Sequence, residues 1–205
     1  MASSAARPVF VITGTSGEGK STLARRLAER VPELELAVSA TTRPRRPGED
    51  DGRDYWFISE EEFDRRLAEG GFLEHVELPW GKGYRSGTLW SELGRIVAHG
   101  RSPLLEIETG GALAVRDRVQ NSVVVFVTAP STEELERRLR SRATESEGEI
   151  DQRLDVAQRQ LALESEFHHT IVNDNLDRAL DELEEIVRAE LRGAGSIPAR
   201  DPSPH

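Results

Sequence analysis

The sequence predicts an α/β fold: a mostly parallel sheet covered by helices on both faces. Short apolar runs of strand length alternate with amphipathic segments of helical length over residues 7–191, which is the pattern of parallel strands joined by helical crossovers. A glycine-rich run stands between the first strand and the first helix. The stretch 40–88 interrupts the alternation and therefore predicts a small mixed insertion into an otherwise regular core.

In the first part of the chain, Leu23 and Leu27 lie one turn apart and mark the inner face of the first helix. Residues 40–54 are rich in Thr, Arg, Pro, Gly and Asp, which favours an irregular connection. Ser59 with Glu62 three residues later is a typical helix start. We expect strands at 7–13, 34–39, 55–58 and 72–78, helices at 20–30 and 60–69, and a glycine-rich loop at 79–87.

The second part repeats the alternation, and its most apolar run, 123–128, predicts the most buried strand. A polar break at 144–148 separates two long helical segments. We expect helices at 89–99, 112–119, 130–142, 150–167 and 177–191, and further strands at 104–107 and 170–172. Residues 1–6 and the Pro-, Gly- and Ser-rich stretch 193–205 are expected to be disordered.

Composition excludes several classes of protein. The 205 residues include no cysteine, carry a net charge of −10 and have a pI near 5.1, so neither disulfides nor a general nucleic-acid binder are expected. No apolar run approaches the roughly 20 residues of a membrane span, and the N-terminus lacks the regions of a signal peptide. We therefore expect a cytoplasmic protein that binds neither membrane nor nucleic acid. Arginine clusters at 43–53 and 137–142 on this acidic chain favour a small polyanionic ligand.

One motif indicates a binding function without reference to the rest of the chain. The run 14–21 matches G-x-x-x-x-G-K-[ST] between a predicted strand and a predicted helix, which is the P-loop pattern. Its backbone N–H groups would surround phosphate oxygens, Lys20 would reach the β- and γ-phosphates, and the Ser21 hydroxyl would bind Mg²⁺. The predicted ATP-binding residues here are Gly14, Thr15, Ser16, Gly17, Glu18, Gly19, Lys20, Ser21 and Thr22.

The rest of the chain resembles the guanylate kinase family. Residues 39–49 match S-x-T-T-R-x-x-R-x-G-E and residues 52–57 continue the likeness, which resumes at 72–75, 105–108, 137–142 and 171–175. The order and spacing match over about 8–191. The resemblance implies a P-loop kinase that transfers the γ-phosphoryl group of ATP to GMP or dGMP with Mg²⁺, giving ADP and GDP or dGDP. Its partners would be small nucleotides, and it would be a monomer or a homodimer.

The resemblance also implies a division of the chain. The core would comprise 7–38 and 89–192, with a helical lid at about 135–155, and 39–88 would form the acceptor-binding insertion. A carboxylate such as Glu74 can accept from the two adjacent donors of guanine, N1–H and N2–H₂, whereas adenine would leave it unpaired. The planar guanidinium group of an arginine can donate two parallel hydrogen bonds to a monophosphate. By resemblance, the acceptor residues are Ser39, Arg43, Arg46, Tyr55, Glu74, Tyr84, Ser86 and Glu108.

On the donor side, Arg138, Arg142 and Arg153 match arginines of the family's lid. Phosphoryl transfer needs positioning and neutralisation of charge more than covalent chemistry, so the predicted catalytic residues are these three with Lys20 and Arg43. Asn173 matches the residue that meets the adenine edge. Glu106 ends a strand that faces the P-loop and is expected as an outer-shell Mg²⁺ partner.

The chain departs from the family pattern beside the acceptor site. Arg85 stands where the family has glycine, and the preceding loop is one residue longer; this arginine would block the pocket, change its backbone or add a cation. Gly110 replaces a family glutamine and Ala143 a lid glycine. Two other functions therefore stay open: a kinase for a modified nucleotide or a ribose bisphosphate, and a non-catalytic guanylate-kinase-like domain that binds peptides.

Overall fold

The computed structural model describes residues 7–15, 18–77, 83–141 and 147–194. The strands are β1 (Val9–Gly14), β2 (Leu34–Leu36), β3 (Ala40–Thr41), β4 (Trp56–Phe57), β5 (Phe72–Glu77), β6 (Arg85–Leu89), β7 (Ser102–Glu106), β8 (Ser122–Thr128) and β9 (His169–Val172). The helices are α1 (Lys20–Arg30), α2 (Glu60–Ala68), α3 (Trp90–Ala98), α4 (Thr109–Arg118), α5 (Thr132–Ser141), α6 (Glu147–Leu161) and α7 (Leu176–Ala194), with a 3₁₀ turn at Glu164–Glu166.

A parallel sheet forms the core. Within the described residues it has five strands in the order β2-β7-β1-β8-β9, and every neighbouring pair is parallel. Successive side chains of β1 point to opposite faces: Phe10 and Ile12 pack with α1 and α7, and Val9 and Val11 pack with α3 and α4. The sheet is thus covered on both faces, and the predicted fold class is confirmed. The carboxyl ends of β1 and β7 meet at one edge, where ligands bind in sheets of this kind.

A second, smaller sheet lies in the interrupting stretch. Its strand order is β4-β3-β6-β5, with one parallel and two antiparallel pairings. The prediction that residues 79–87 form a loop is wrong for 85–87, because Arg85 opens β6, whose pairing with β5 brings Gly87 opposite His75. The prediction for α2 is confirmed, since the Ser59 hydroxyl accepts the Glu62 N–H at 3.2 Å.

Helices α5 and α6 pack against one another beyond the end of β8. Leu135 of α5 and Ala157 of α6 share a small buried cluster with Ala129. The predicted helix 150–167 is wrong at its end, since α6 stops at Leu161 and the 3₁₀ turn follows. Helix α7 continues to Ala194, three residues beyond its predicted end. The expectation of disorder for 193–205 is wrong at Gly193 and Ala194, which lie in α7 because the helix continues through them. The remainder, 195–205, and residues 1–6 lie outside the described residues.

Candidate active site

The P-loop follows β1 directly, and two glycines have backbones that other residues rarely adopt. Gly14 has φ 137°, and a Cβ there would lie 2.0 Å from the Val127 carbonyl oxygen of the neighbouring strand. Gly19 has φ 76° and precedes the first residue of α1. The glycine positions of the motif are therefore required by this loop geometry, and the N-terminus of α1 lies where a phosphate would bind.

Lys20 is buried within this loop. Its Nζ donates to the carbonyl oxygens of Gly14 at 2.9 Å and Thr15 at 2.6 Å. The ammonium thus lies against the loop that would surround the phosphates, at the carboxyl end of the central strand. When a nucleotide binds, a phosphate oxygen would take the place of these carbonyl oxygens as the acceptor for Lys20 Nζ.

Ser21, at the start of α1, and Glu106, at the end of β7, are in contact at the carboxyl edge of the sheet. The Ser21 hydroxyl donates to Glu106 Oε1 at 2.9 Å, because α1 begins beside the carboxyl end of β7. Thr13 Oγ1 donates to the Ile107 carbonyl at 2.9 Å and fixes the two strand ends together. The two predicted metal-binding residues therefore lie next to each other, and both present oxygen, the ligand atom that Mg²⁺ prefers.

A cavity of about 350 Å³ lies between the two sheets. It joins P-loop residues to residues of the second sheet, and most of its lining was predicted from the sequence. The lining residues are Glu18, Gly19, Lys20, Ser21, Thr22, Ser39, Tyr55, Glu74, Val76, Ser86, Gly87, Glu106, Ile107 and Glu108.

Among the described residues, the hydrogen bonds to the Glu74 side chain all reach one carboxylate oxygen, Oε1. This oxygen accepts the backbone N–H of Thr88 at 2.9 Å and the Thr88 hydroxyl at 2.7 Å. Only 4% of the residue is exposed, and this burial raises the pKa of the carboxyl while the two Thr88 bonds oppose the rise. A Cβ on Gly111 would lie 2.5 Å from Glu74 Oε2, so glycine at this position leaves room for the carboxyl group. The result is a fixed, desolvated carboxylate at the cavity wall.

Glu108 and Ser86 complete the wall near Glu74. Glu108 Oε2 accepts from Gln160 Nε2 at 3.0 Å, so a residue of α6 orients it. The Ser86 hydroxyl donates to the Ala40 carbonyl at 3.1 Å. Burial raises the pKa of Tyr55, with the Glu106 carboxylate adding to the rise, so the phenol stays a neutral donor at the cavity edge.

Arg43 and Arg46 are not among the residues that line this cavity. Arg43 donates from both terminal nitrogens to Glu49, at 2.7 and 3.0 Å, and lies over the rings of Tyr55 and Phe57. Arg46 is exposed, and its backbone N–H donates to Glu49 at 2.7 Å. The structure thus brings both arginines into one loop closed by Glu49, next to the cavity residue Tyr55. Tyr84 is half-buried and likewise outside the lining.

Arg85 points away from the cavity, which corrects the expectation that it would alter the pocket. Its guanidinium lies 4.5 Å over the Phe63 ring, pairs with Glu60, and donates to Asp64 at 2.6 Å. All three partners belong to α2. Side chains alternate along a strand, so Arg85 faces α2 while Ser86 faces the cavity.

Asn173 and Arg138 meet at the P-loop. Asn173 Nδ2 donates to the Glu18 carbonyl at 2.6 Å, and Arg138 Nη1 donates to Glu18 Oε2 at 2.9 Å. The adenine contact assigned to Asn173 stays a prediction. Three further predicted residues lie outside the described residues: Ser16, Gly17 and Arg142. Arg153 lies on α6, but its side chain is outside the description.

Sequence reasoning missed three residues that hold others in place. Thr88 binds Glu74, Gln160 binds Glu108, and Glu49 binds Arg43. A signal existed for Glu49, which lies within the matched stretch 39–49. Thr88 and Gln160 act through pairings that only the folded sheet and helices create.

A strand-loop-helix P-loop, an oxygen pair at Ser21 and Glu106, and a second sheet carrying a buried carboxylate together define a P-loop phosphotransferase. Comparison with known proteins then gives the family. The guanylate kinase family model matches residues 6–190, and the chain belongs to that family.

Two curated relatives show the extent of the similarity. A guanylate kinase of Rubrobacter xylanophilus is 46% identical over 185 residues, 90% of this chain and 95% of its own length. One from a Synechococcus species is 48% identical over 181 residues, 88% and 93% of the two chains. The solved guanylate kinase of Anaplasma phagocytophilum is 31% identical with a TM-score of 0.72, covering 90% of this chain and 86% of its own.

Two features are absent from the part of the chain that the structure describes. None of its helices is both long and apolar enough to cross a membrane. The same part of the chain has no group of three or more His, Cys, Asp or Glu side chains arranged to hold a metal ion.

Proposed function

We propose that this protein is an ATP-dependent guanylate kinase that converts GMP or dGMP to the diphosphate. One observation carries the proposal: the P-loop residues Lys20 and Ser21 line the same cavity as the buried carboxylate Glu74. The groups proposed to bind the phosphates and the base thus face one cavity. Family membership supports the same reaction.

The donor would bind along the P-loop. The loop from Gly14 to Thr22 would hold the phosphates through backbone N–H groups and the ammonium of Lys20, with Asn173 nearby on the adenine side. Arg138, Arg142 and Arg153 would neutralise charge on the migrating phosphoryl group. In the reaction, the bond between the γ-phosphorus and the β-bridging oxygen breaks, and a phosphate oxygen of the acceptor forms the new bond.

Mg²⁺ fits the residues that would hold it. Ser21 Oγ and Glu106 Oε1 are 2.9 Å apart and both are hard oxygen ligands, with Ser21 as the direct ligand and Glu106 in the outer shell. When bound, the ion would neutralise phosphate charge and orient the donor. The protein's own part is to present these two oxygens at the end of the P-loop.

The acceptor would bind against the second sheet. Glu74 would accept from guanine N1–H and N2–H₂, with Ser39, Ser86 and Glu108 around the base. Arg43, Arg46, Tyr55 and Tyr84 would hold its phosphate. Arg43 uses three of its five N–H donors on the Pro44 carbonyl and on Glu49. The remaining two would bind that phosphate while Glu49 keeps the guanidinium in place.

Selectivity among acceptors tests this proposal. ADP formation from ATP and Mg²⁺ would be measured with GMP, dGMP, AMP, UMP and ribose bisphosphate in turn. We expect kcat/KM for GMP to exceed that for AMP by about 10³-fold or more, because adenine would leave the buried Glu74 unpaired. A faster reaction with AMP or ribose bisphosphate contradicts the guanine assignment. If ADP forms with none of the acceptors, the assignment as a kinase is contradicted.

A further inference from the structure

The carboxylate of Glu18 projects from the P-loop, where the motif requires no particular side chain. None of this side chain is exposed. Its Oε1 accepts from the Thr15 hydroxyl at 3.1 Å and its Oε2 from Arg138 Nη1 at 2.9 Å. A charged group buried this deeply is costly unless it is paired, so the Arg138 contact accounts for its presence.

Glu18, Asn173 and Arg138 close a ring of hydrogen bonds. Asn173 Nδ2 donates to the Glu18 carbonyl at 2.6 Å, and the Asn173 carbonyl accepts from Arg138 Nη2 at 3.0 Å. The third side of the ring is the ion pair between Arg138 and Glu18. The ring joins the P-loop, the end of β9 and helix α5, which are three elements distant in sequence.

Arg138 also contacts Glu134, whose Oε1 accepts from Arg138 Nε at 2.7 Å. Glu134 lies one turn earlier on α5 and therefore moves with Arg138, so it cannot fix that helix relative to the core. Glu18 belongs to the P-loop and does not move with α5. Together with the Asn173 carbonyl, the Glu18 carboxylate therefore links the Arg138 guanidinium to the loop that would hold the phosphates.

We propose that Glu18 is a positioning residue that holds Arg138 at the rim of the P-loop for phosphoryl transfer. This inference rests on the proposed function, in which Arg138 contacts the migrating group. An arginine side chain that is ordered before the reaction does not have to lose its rotamer freedom as the barrier is crossed. The carboxylate carries a cost as well, because its negative charge lies beside the phosphates of ATP.

Glu18 would thus favour the reaction by ordering Arg138 and disfavour ATP binding by its charge. Its removal should therefore change kcat and KM for ATP differently, which a purely structural role does not predict. Glu18→Gln keeps the size of the side chain but loses the charge, and Glu18→Asp keeps the charge but shortens the reach to Arg138. We expect both to lower kcat about tenfold. KM for ATP should not rise in Glu18→Gln, because a negative charge has been removed beside the phosphates.

The matched control is Glu35→Gln. Glu35 is a carboxylate on edge strand β2 that pairs with Arg95 at 2.6 Å and does not line the cavity. We expect this variant to keep kcat within twofold, whatever it loses in melting temperature. A tenfold fall in kcat for Glu35→Gln would show that loss of any such ion pair is enough, and would overturn the inference.

A double-mutant cycle with Arg138→Ala completes the experiment. We expect Glu18→Gln to have no further effect on kcat once Arg138 is absent, since its action passes through that side chain. Equal losses in both backgrounds, or a Glu18→Gln enzyme with kcat at or above the wild-type value, would overturn the inference. The wild-type reaction with ATP and GMP separates the two proposals: no wild-type turnover contradicts the proposed function, whereas turnover without coupling contradicts only the role of Glu18.

Discussion

Arg43 forms a bidentate ion pair with Glu49, with nitrogen–oxygen distances of 2.7 and 3.0 Å. Glu49 also accepts the Arg46 backbone N–H at 2.7 Å. Through these bonds Glu49 holds the Arg43 fork and lowers the freedom of the loop that carries both arginines. The proposed phosphate grip is therefore built before the acceptor binds.

The first prediction concerns this grip. Glu49→Ala should raise KM for GMP about tenfold and change KM for ATP less than twofold, because the loop loses the bonds that hold Arg43 in place. Steady-state kinetics with each nucleotide varied in turn will measure both constants. A lower KM for GMP would mean that Glu49 acts mainly as a competitor for Arg43, contrary to this account.

The second prediction concerns base recognition. Glu74→Gln should raise KM for GMP about 10²-fold, because an amide presents one acceptor and one donor group to two guanine donors. Thr88→Val is the companion variant: it removes one hydrogen bond to Glu74 Oε1 and should show a smaller effect in the same direction. Unchanged selectivity between GMP and AMP in Glu74→Gln would remove Glu74 from the base site.

The third prediction follows from the sign of the Glu74 pKa shift. Burial raises this pKa above the ordinary value of 4.5, so the folded protein holds the proton more tightly than the unfolded chain does. The contribution to stability is thus fully present below pH 4.5 and is lost as pH rises through the raised pKa. Glu74→Gln lacks this loss, so its melting temperature relative to wild type should increase from pH 4.5 to pH 8.

GMP binding should show the opposite trend, because the ionised carboxylate is the form that accepts from guanine. KM for GMP should fall as pH rises through the raised pKa of Glu74, and Glu74→Gln should lack this dependence. Melting curves and kinetics of the two proteins in the same buffers will test both trends. A difference in melting temperature that is constant with pH would contradict the proposed cost of the buried carboxylate.

The fourth prediction separates Arg85 from the acceptor site. Arg85→Gly should leave KM for GMP within twofold of wild type, because the side chain faces α2 and not the cavity. It should lower the melting temperature by about 2–4 °C, through loss of a cation–π contact with Phe63 of about 1 kcal/mol. A large rise or fall in KM for GMP would place Arg85 in the acceptor site after all.

Much of the core was predictable, since its elements follow from local pattern. The alternation in β1 and the spacing of Leu23 and Leu27 are local features, and the P-loop is contiguous. Strand β6 was not predictable from its residues, which show no apolar alternation. Its structure depends on pairing with β5, where Gly87 allows an approach so close that a Cβ would lie 2.5 Å from the Glu74 carbonyl.

The same distinction applies to the site. Lys20 and Ser21 are fixed by one motif, whereas Glu74, the proposed base-recognition group, is held in place by Thr88, 14 residues away. The contact between Glu18 and Arg138 joins residues 120 positions apart. Neither residue type nor spacing indicates such a pair, because the sheet order decides which chain segments meet.

The most direct test of the central claim follows the phosphoryl group itself. Wild-type protein with Mg²⁺, ATP labelled with ³²P in the γ-phosphate, and equal concentrations of GMP and AMP should give labelled GDP and unlabelled ADP. The Lys20→Ala variant should give almost no labelled GDP. Label that appears only as inorganic phosphate, or that reaches AMP in preference to GMP, would contradict the account.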